Sequence, residues 1–320
     1  MSSGAGARRP PDPSTVRIPG PWTHRDVSAN GIRLHVAESG DGPLVLLLHG
    51  FAEFWWSWRH QLSSLADSGF RVVAADLRGY GDSDKPPRGY DGWTLSGDIA
   101  GLIKALGEPR AHLVGHAWGG MLGWTVGALH PRLVKSVSAI SAPHPLALRE
   151  AVRRTALRRR GGNQALAISQ VFFAQLPMLP ERRLTADGAL ALDRLFTRAS
   201  GKEWARSSGF GDVVATHRQA MLVPGAAHSA LEYYRWAMRS QARGDGRHFA
   251  EEMDRRLRMP VLRIHGSADP YMLEATARAS ASWCGPRSVY RGMPGIGHFP
   301  QQEAPAEVSR FLLEFLRRAR

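Results

Sequence analysis

Three segments of this 320-residue chain carry residue types and spacings that suit bond-breaking chemistry. The first is Gly115-His116-Ala117-Trp118-Gly119-Gly120, which follows the apolar run Ala111–Val114 and opens a helical pattern. A G-x-Nu-x-G turn between strand and helix lifts its central side chain clear of the sheet. The flanking positions are glycine because a Cβ there would strike the neighbouring turn. The raised residue sits at a helix N-terminus, where backbone N–H groups favour negative charge. Here that residue is Ala117, which has no lone pair with which to attack. Such a turn holds its central residue in strained backbone, at about 1–3 kcal/mol. Glycine would relieve that strain better than alanine, so Ala117 reads as a side chain truncated at Cβ.

The second segment, His265-Gly266-Ser267-Ala268-Asp269-Pro270, follows the run Val261–Ile264, and the third is Gly295-Ile296-Gly297-His298-Phe299. Asp269 would accept the proton of His298 Nδ1 and fix the tautomer, leaving Nε2 as a base. Taken singly, Asp269 reads equally as a helix N-cap and His298 as a loop residue. Together, following the elbow in the order nucleophile position, Asp, His, they read as a catalytic dyad. His49-Gly50-Phe51, after Leu44–Leu48, adds an oxyanion hole built from the Phe51 and Trp118 N–H groups. Asp82 and Asp84 read as turn hydrogen-bonders. No Cys/His cluster has metal-ligand spacing, so neither a metal nor another cofactor is called for.

The elements that must position these groups are short buried strands alternating with helices. Leu44–Leu48, Val72–Ala75, Ala111–Val114, Ser136–Ile140 and Val261–Ile264 read as strands of a parallel sheet covered on both faces, two of them interrupted by His112 and Arg263. Helical patterns run over 58–68, 95–107, 118–130 and 273–282. Thr23–Ser28 and Ile32–Ala37, joined by Asn30-Gly31, read as an N-terminal hairpin. From Pro145 to Arg256 the strand signal stops and helical patterns are broken by Pro177, Pro180 and Pro224. The fold class is therefore α/β: an α/β-hydrolase fold, with a doubly wound, mostly parallel sheet and an inserted helical lid. The predicted boundaries are a disordered tail over 1–21, a core over 22–144 and 257–320, and a lid over 145–256.

With 43% hydrophobic residues, the chain can bury a sizeable core. No apolar run approaches the ~18 residues of a membrane span, and the Gly-, Pro- and Arg-rich start lacks the apolar stretch of a secretory signal. One cysteine, Cys284, excludes an internal disulfide, fits a reducing cytoplasm and reads as a small core residue. The net charge of +14 raises nucleic acid or membrane as partners. Both are discounted, because the arginines are spread along the chain. The one cluster, Arg149, Arg153, Arg154, Arg158, Arg159 and Arg160, lacks interleaved aromatics and reads as a solvated helix face.

His49 through Trp58, Asp76-Leu77-Arg78-Gly79-Tyr80-Gly81-Asp82-Ser83, the elbow and Gly297-His298-Phe299 together resemble the epoxide hydrolases, over about Trp22 to Leu316. Haloalkane and fluoroacetate dehalogenases share the core segments; the lid segment Leu231-Glu232-Tyr233-Tyr234-Arg235-Trp236 is more typical of epoxide hydrolases. The resemblance implies an elbow Asp that forms an alkyl-enzyme ester, a His–Asp pair that hydrolyses it, and two lid tyrosines that polarise the epoxide oxygen. Tyr234 matches the second of these, or Tyr233 if the register is one residue off. The first falls in Ile168–Phe173, where Ser169 stands and no tyrosine.

The chain thus departs from the family at Ala117. Three readings stay open: an altered or inactivated epoxide hydrolase, a non-covalent enzyme using the His298–Asp269 base, and a ligand-binding protein on the hydrolase fold. A pocket lined by Phe51, Trp118, Tyr234, Asp269 and His298 is expected between core and lid, with His49, Trp55 and Trp56 as further substrate contacts. Its aromatic content suits a small apolar or aromatic ligand such as an epoxide. A homodimer is compatible with the sequence.

Overall fold

A computed structural model of the chain describes residues 10–156 and 162–319. Its centre is one eight-stranded sheet: β1 (Thr23–Ala29), β2 (Ile32–Ser39), β3 (Leu44–Leu48), β4 (Arg71–Ala75), β5 (Ala111–His116), β6 (Val134–Ile140), β7 (Val261–Gly266) and β8 (Ser288–Met293). The order across the sheet is β1-β2-β4-β3-β5-β6-β7-β8. β1 and β2 form the predicted hairpin, β2 runs antiparallel to β4, and the other pairs are parallel. β3 is apolar and buried throughout because helices cover both of its faces.

Each polar interruption finds a local partner. His112 Nδ1 meets Ser136 Oγ at 2.8 Å. Arg263 lies across Tyr290 and donates to the Arg278 carbonyl. β8, which the apolar pattern does not announce, is a half-exposed edge strand with a single buried residue, Met293.

Helices α1 (Arg59–Ala66), α2 (Gly92–Ala105) and α3 (Trp118–Leu129) alternate with the strands. Between β6 and β7 the described residues are helical without a strand: α4 (Pro145–Thr155), α5 (Gln164–Ala167), α6 (Gln170–Phe173), α7 (Leu179–Ala189), α8 (Ala191–Ala199), α9 (Lys202–Ala205), α10 (Phe210–Met221), α11 (Ala226–Arg239) and α12 (Gly244–Met253). After β7 come α13 (Glu274–Ala279), α14 (Pro300–Glu303) and α15 (Pro305–Arg318). Cys284 is a buried free thiol in the core. Of the arginine cluster, Arg153 and Arg154 are exposed, and Arg158, Arg159 and Arg160 lie outside the described residues.

The expected disordered tail needs correction. Residues 1–9 lie outside the described residues, but 10–21 are docked on the core. Asp12 caps a 3-10 turn over Pro13–Val16, and Val16 is buried. The Val16 carbonyl accepts the Trp55 indole N–H at 2.8 Å, and Arg17 pairs with Asp82 at 2.5 Å and Asp26 at 2.7 Å. One apolar side chain and one arginine anchor a segment whose composition otherwise reads as a linker. Asp82 and Asp84 are corrected with it: their carboxylates pair with arginines, Asp82 with Arg17 and Arg33 and Asp84 with Arg33.

Candidate active site

Beyond the carboxyl end of β5, the chain reverses through Ala117, whose φ of 46° and ψ of −111° are strained for any residue with a side chain. Packing enforces the turn. A Cβ on Gly115 would lie 2.2 Å from the Gly119 carbonyl, and one on Gly119 would lie 2.1 Å from the Leu48 carbonyl. The Ala117 N–H donates to Ile140 O at 3.0 Å, and Ala117 O accepts from Met121 N at 2.9 Å. The elbow is therefore fully formed around a methyl group. Among the described residues no acceptor takes the N–H of Phe51 or Trp118.

The loop after β7 places Asp269, and the loop after β8 places His298. Their Oδ2 and Nδ1 lie 2.7 Å apart. Asp269 Oδ1 also accepts the N–H groups of Tyr271 (2.8 Å) and Met272 (3.0 Å), so the carboxylate is both a turn cap and the partner of His298. Burial opposes the charge on each; their mutual attraction and hydrogen bond outweigh it, holding Asp269 below the usual carboxylate range and His298 above the usual imidazole value. His298 Nε2 has no hydrogen-bond partner among the described residues.

A buried polar cluster holds both halves from below. His116 bridges Glu53 Oε2 (2.5 Å) and the His298 carbonyl (2.7 Å). Glu53 also accepts from Gly50 N, Gln301 Nε2 and Gln302 Nε2. Burial opposes the Glu53 charge, yet His116 above all, with His217 and the Gly50 N–H, brings its pKa down to about 2. Glu303 receives the N–H groups of Gly297, Phe299 and Gly201, stitching the His298 loop to the chain after α8; burial pushes its pKa up against those bonds.

The two adjacent tyrosines of α11 separate cleanly. Tyr233 is buried, with its hydroxyl committed to the Arg78 carbonyl at 2.8 Å. Tyr234 is half-buried, with its ring 5.1 Å from Phe51 and 5.2 Å from Trp118. Burial pushes its phenol well above the ordinary value, with the Trp118 indole as a hydrogen-bonding neighbour pulling the other way. Ser169, the only hydroxyl in 168–173, is exposed at the start of α6.

Sequence reasoning missed Tyr271, two residues after Asp269. Its ring meets His298 edge-on at 5.3 Å. It missed the Glu53–His116 pair as well. The signal for both was proximity in sequence to residues already singled out.

Three expected substrate contacts fall elsewhere. Trp55 is fully buried against Trp22 and His24, its indole N–H already bonded, so it belongs to the core packing. His49 donates from Nδ1 to the Gly50 carbonyl and accepts the Leu77 N–H at Nε2, leaving no free ring nitrogen for a ligand. Trp56 is covered by the Arg59 guanidinium at 3.9 Å and faces His217 of α10.

Residues 43–305 match the family model for the alpha/beta hydrolase fold. The chain belongs to the α/β-hydrolase family. Within that family it stands among the epoxide hydrolases. It is 34% identical to Epoxide hydrolase A of Mycobacterium tuberculosis over 92% of this chain and 97% of that protein. It is 33% identical to the AB hydrolase superfamily protein YfhM of Bacillus subtilis over 91% and 96%. A crystal structure of the Bacillus megaterium epoxide hydrolase with an inhibitor superposes at a TM-score of 0.76, with 27% identity, over 92% of this chain and all of that one. Family membership and the Ala117 side chain therefore pull apart: the family is one of hydrolases, and the residue raised at the elbow carries only a methyl group.

Proposed function

We propose that this chain is an epoxide-hydrolase scaffold whose site takes a small apolar or aromatic epoxide under a cap formed by the helices of 145–256. The carrying observation is the intact His298–Asp269 dyad, bonded at 2.7 Å, beside a fully formed elbow that bears only a methyl group. The relatives named as epoxide hydrolases supply the substrate class. Tyr234 is the acid. Its desolvated hydroxyl stays protonated at neutral pH and donates to the epoxide oxygen. Phe51 and Trp118 N–H groups form the oxyanion hole. The single buried thiol, Cys284, suits a cytoplasmic setting.

With Ala117 in place, the ester route is closed and direct hydration is the route that remains. Water attacks an epoxide carbon as the C–O bond breaks. Its proton passes to His298 Nε2, and the opened oxygen takes a proton from Tyr234. Tyr234 recovers that proton from solvent as His298 releases its own, so the sum is epoxide plus water to diol. This route lacks covalent catalysis and is slow.

Ala117→Asp supplies the missing carboxylate at the N-terminus of α3, where negative charge is favoured. The decisive experiment uses styrene oxide with Ala117→Asp and with Ala117→Asp/His298→Ala. The single variant is expected to release diol. The double variant is expected to accumulate an alkyl-enzyme ester at residue 117, seen by mass spectrometry. A folded Ala117→Asp protein that gives neither diol nor adduct across a broad epoxide panel overturns this reading in favour of a ligand-binding role.

A further inference from the structure

The large hydrophobic side chains left exposed among the described residues all fall in one stretch of the helical insertion. Leu166 is 70% exposed, Phe172 62%, Leu176 44%, Met178 64% and Leu179 52%, with Leu190 at 44% following. Elsewhere the described chain hides its large apolar residues, so this concentration marks an interaction face. The stretch is not loosely held. Arg235 of α11, itself buried, donates to the carbonyls of Ala174 and Leu176, each at 3.0 Å, and pairs with Glu181 at 2.8 Å. The apolar side chains therefore project from a backbone that is clamped to the helix carrying Tyr234, and Gln175 adds a bond to the Tyr234 carbonyl at 3.3 Å.

The border of this face is basic. Arg182 and Arg183 follow Leu179 in α7, and Arg153 and Arg154 end α4, which packs on α5. All four are exposed. Glu150 neutralises Arg154 alone, and Glu181 is already taken by Arg235 and His228. Arg183 lies 5.4 Å from the Phe173 ring, and neither Arg153 nor Arg182 has a carboxylate partner among the described residues.

An apolar centre with an arginine border fits a surface that offers hydrocarbon below and negative charge at its margin. A second copy of this chain would set arginine against arginine across the contact. Against the expectation drawn from the spread of the arginines along the sequence, we propose that this face docks peripherally on an anionic lipid bilayer, inserting Leu166, Phe172 and Met178 among the acyl chains while the arginines meet lipid phosphates. No described helix is long and apolar enough to cross a membrane, so the contact is one of surface docking. If the site takes apolar epoxides, as proposed above, docking would also set the cap against the phase into which such compounds partition. The docking claim itself needs no turnover.

The test is flotation of the full chain with vesicles of phosphatidylcholine alone and of phosphatidylcholine doped with phosphatidylglycerol, at low and high salt. Co-flotation with the doped vesicles, weakened by salt, is expected. Reversing charge in Arg182→Glu/Arg183→Glu should lower vesicle affinity by at least tenfold, taking about fivefold per arginine. Phe172→Ser/Met178→Ser should lower it at least as far while leaving the circular dichroism melt unchanged, since both side chains are exposed. Absence of binding, equal binding to neutral vesicles, or indifference to the arginine reversal overturns the proposal. Concentration-dependent dimers in sedimentation velocity that Phe172→Ser/Met178→Ser abolishes would overturn it in favour of a second copy.

Discussion

The elbow after β5 and the loops after β7 and β8 meet at one site, but they hold their geometry in different ways. The dyad loops depend on side chains. Asp269 accepts two backbone N–H groups besides His298, Glu303 takes three N–H donors, and His116 grips the His298 carbonyl. The elbow depends mainly on its backbone, through close packing at its glycines and the two hydrogen bonds of Ala117. Its glycines leave no room for a Cβ, and its strain is present although the central residue carries only a methyl group. A turn held by close-packed backbone keeps its shape when its functional side chain is removed. A loop held by carboxylates and imidazoles changes when any of them is removed.

On a common free-energy scale, the largest test of this contrast is Ala117→Asp. Loss of a nucleophile can cost about 10⁶ in kcat, and the backbone here is already in place. Diol formation from styrene oxide is expected to rise by at least about 10³, or about 4 kcal/mol of barrier. A gain below about tenfold would mean that the elbow has lost more than a side chain.

Next is Glu53→Gln, which strikes the side-chain-held half. The Glu53 pKa lies at about 2 in the folded protein against 4.5 ordinarily. Its contribution is therefore present above pH 4.5 and lost as pH falls through 4.5 toward 2. The depression corresponds to stability on the order of 3 kcal/mol at neutral pH. Urea unfolding should show that loss at pH 7, and a shallower acid decline in the variant. An unchanged midpoint would show that the His116–Glu53 pair is not what holds the loops.

Tyr234→Phe in the Ala117→Asp background should lower kcat by about a hundredfold, with a smaller change in KM, because the acid acts as the ring opens. The raised pKa of His298 adds a pH signature in the same background. The base must be neutral, so the acid limb of the rate profile should lie above pH 6.5. A limb at or below 6.5 would detach His298 from the Asp269 charge.

The smallest effect is Ala117→Gly. Relief of strain at φ 46° should exceed the added entropy of the unfolded chain and stabilise the protein by about 1 kcal/mol. Destabilisation would show that the turn is not strained at this residue.

Much of the site was legible before folding because its signals are local. The apolar runs of β3 to β7 mark strands, the glycines around Ala117 mark the elbow, and His298 lies in its own short motif. β8 was not legible, since a half-exposed edge strand needs no apolar run. The docking of 10–21 was not legible either, because it rests on Val16 and Arg17 meeting partners far along the chain.

By its sequence alone, this protein has an α/β-hydrolase core, a His–Asp pair in the right order, and a raised position that cannot attack. Only the tertiary structure decided that Tyr234 and not Tyr233 faces the site, that Trp55 and His49 serve the core and its loops, and that Tyr271 joins His298. It also brought Glu53 beside Gln301 and His116 beside His298 across separations of 248 and 182 residues. Side-chain type and periodicity specify what a segment can become along its own length. Which of two neighbouring tyrosines finds a carbonyl partner depends on how α11 packs over the β4 loop at Arg78, and that is settled by the packed whole.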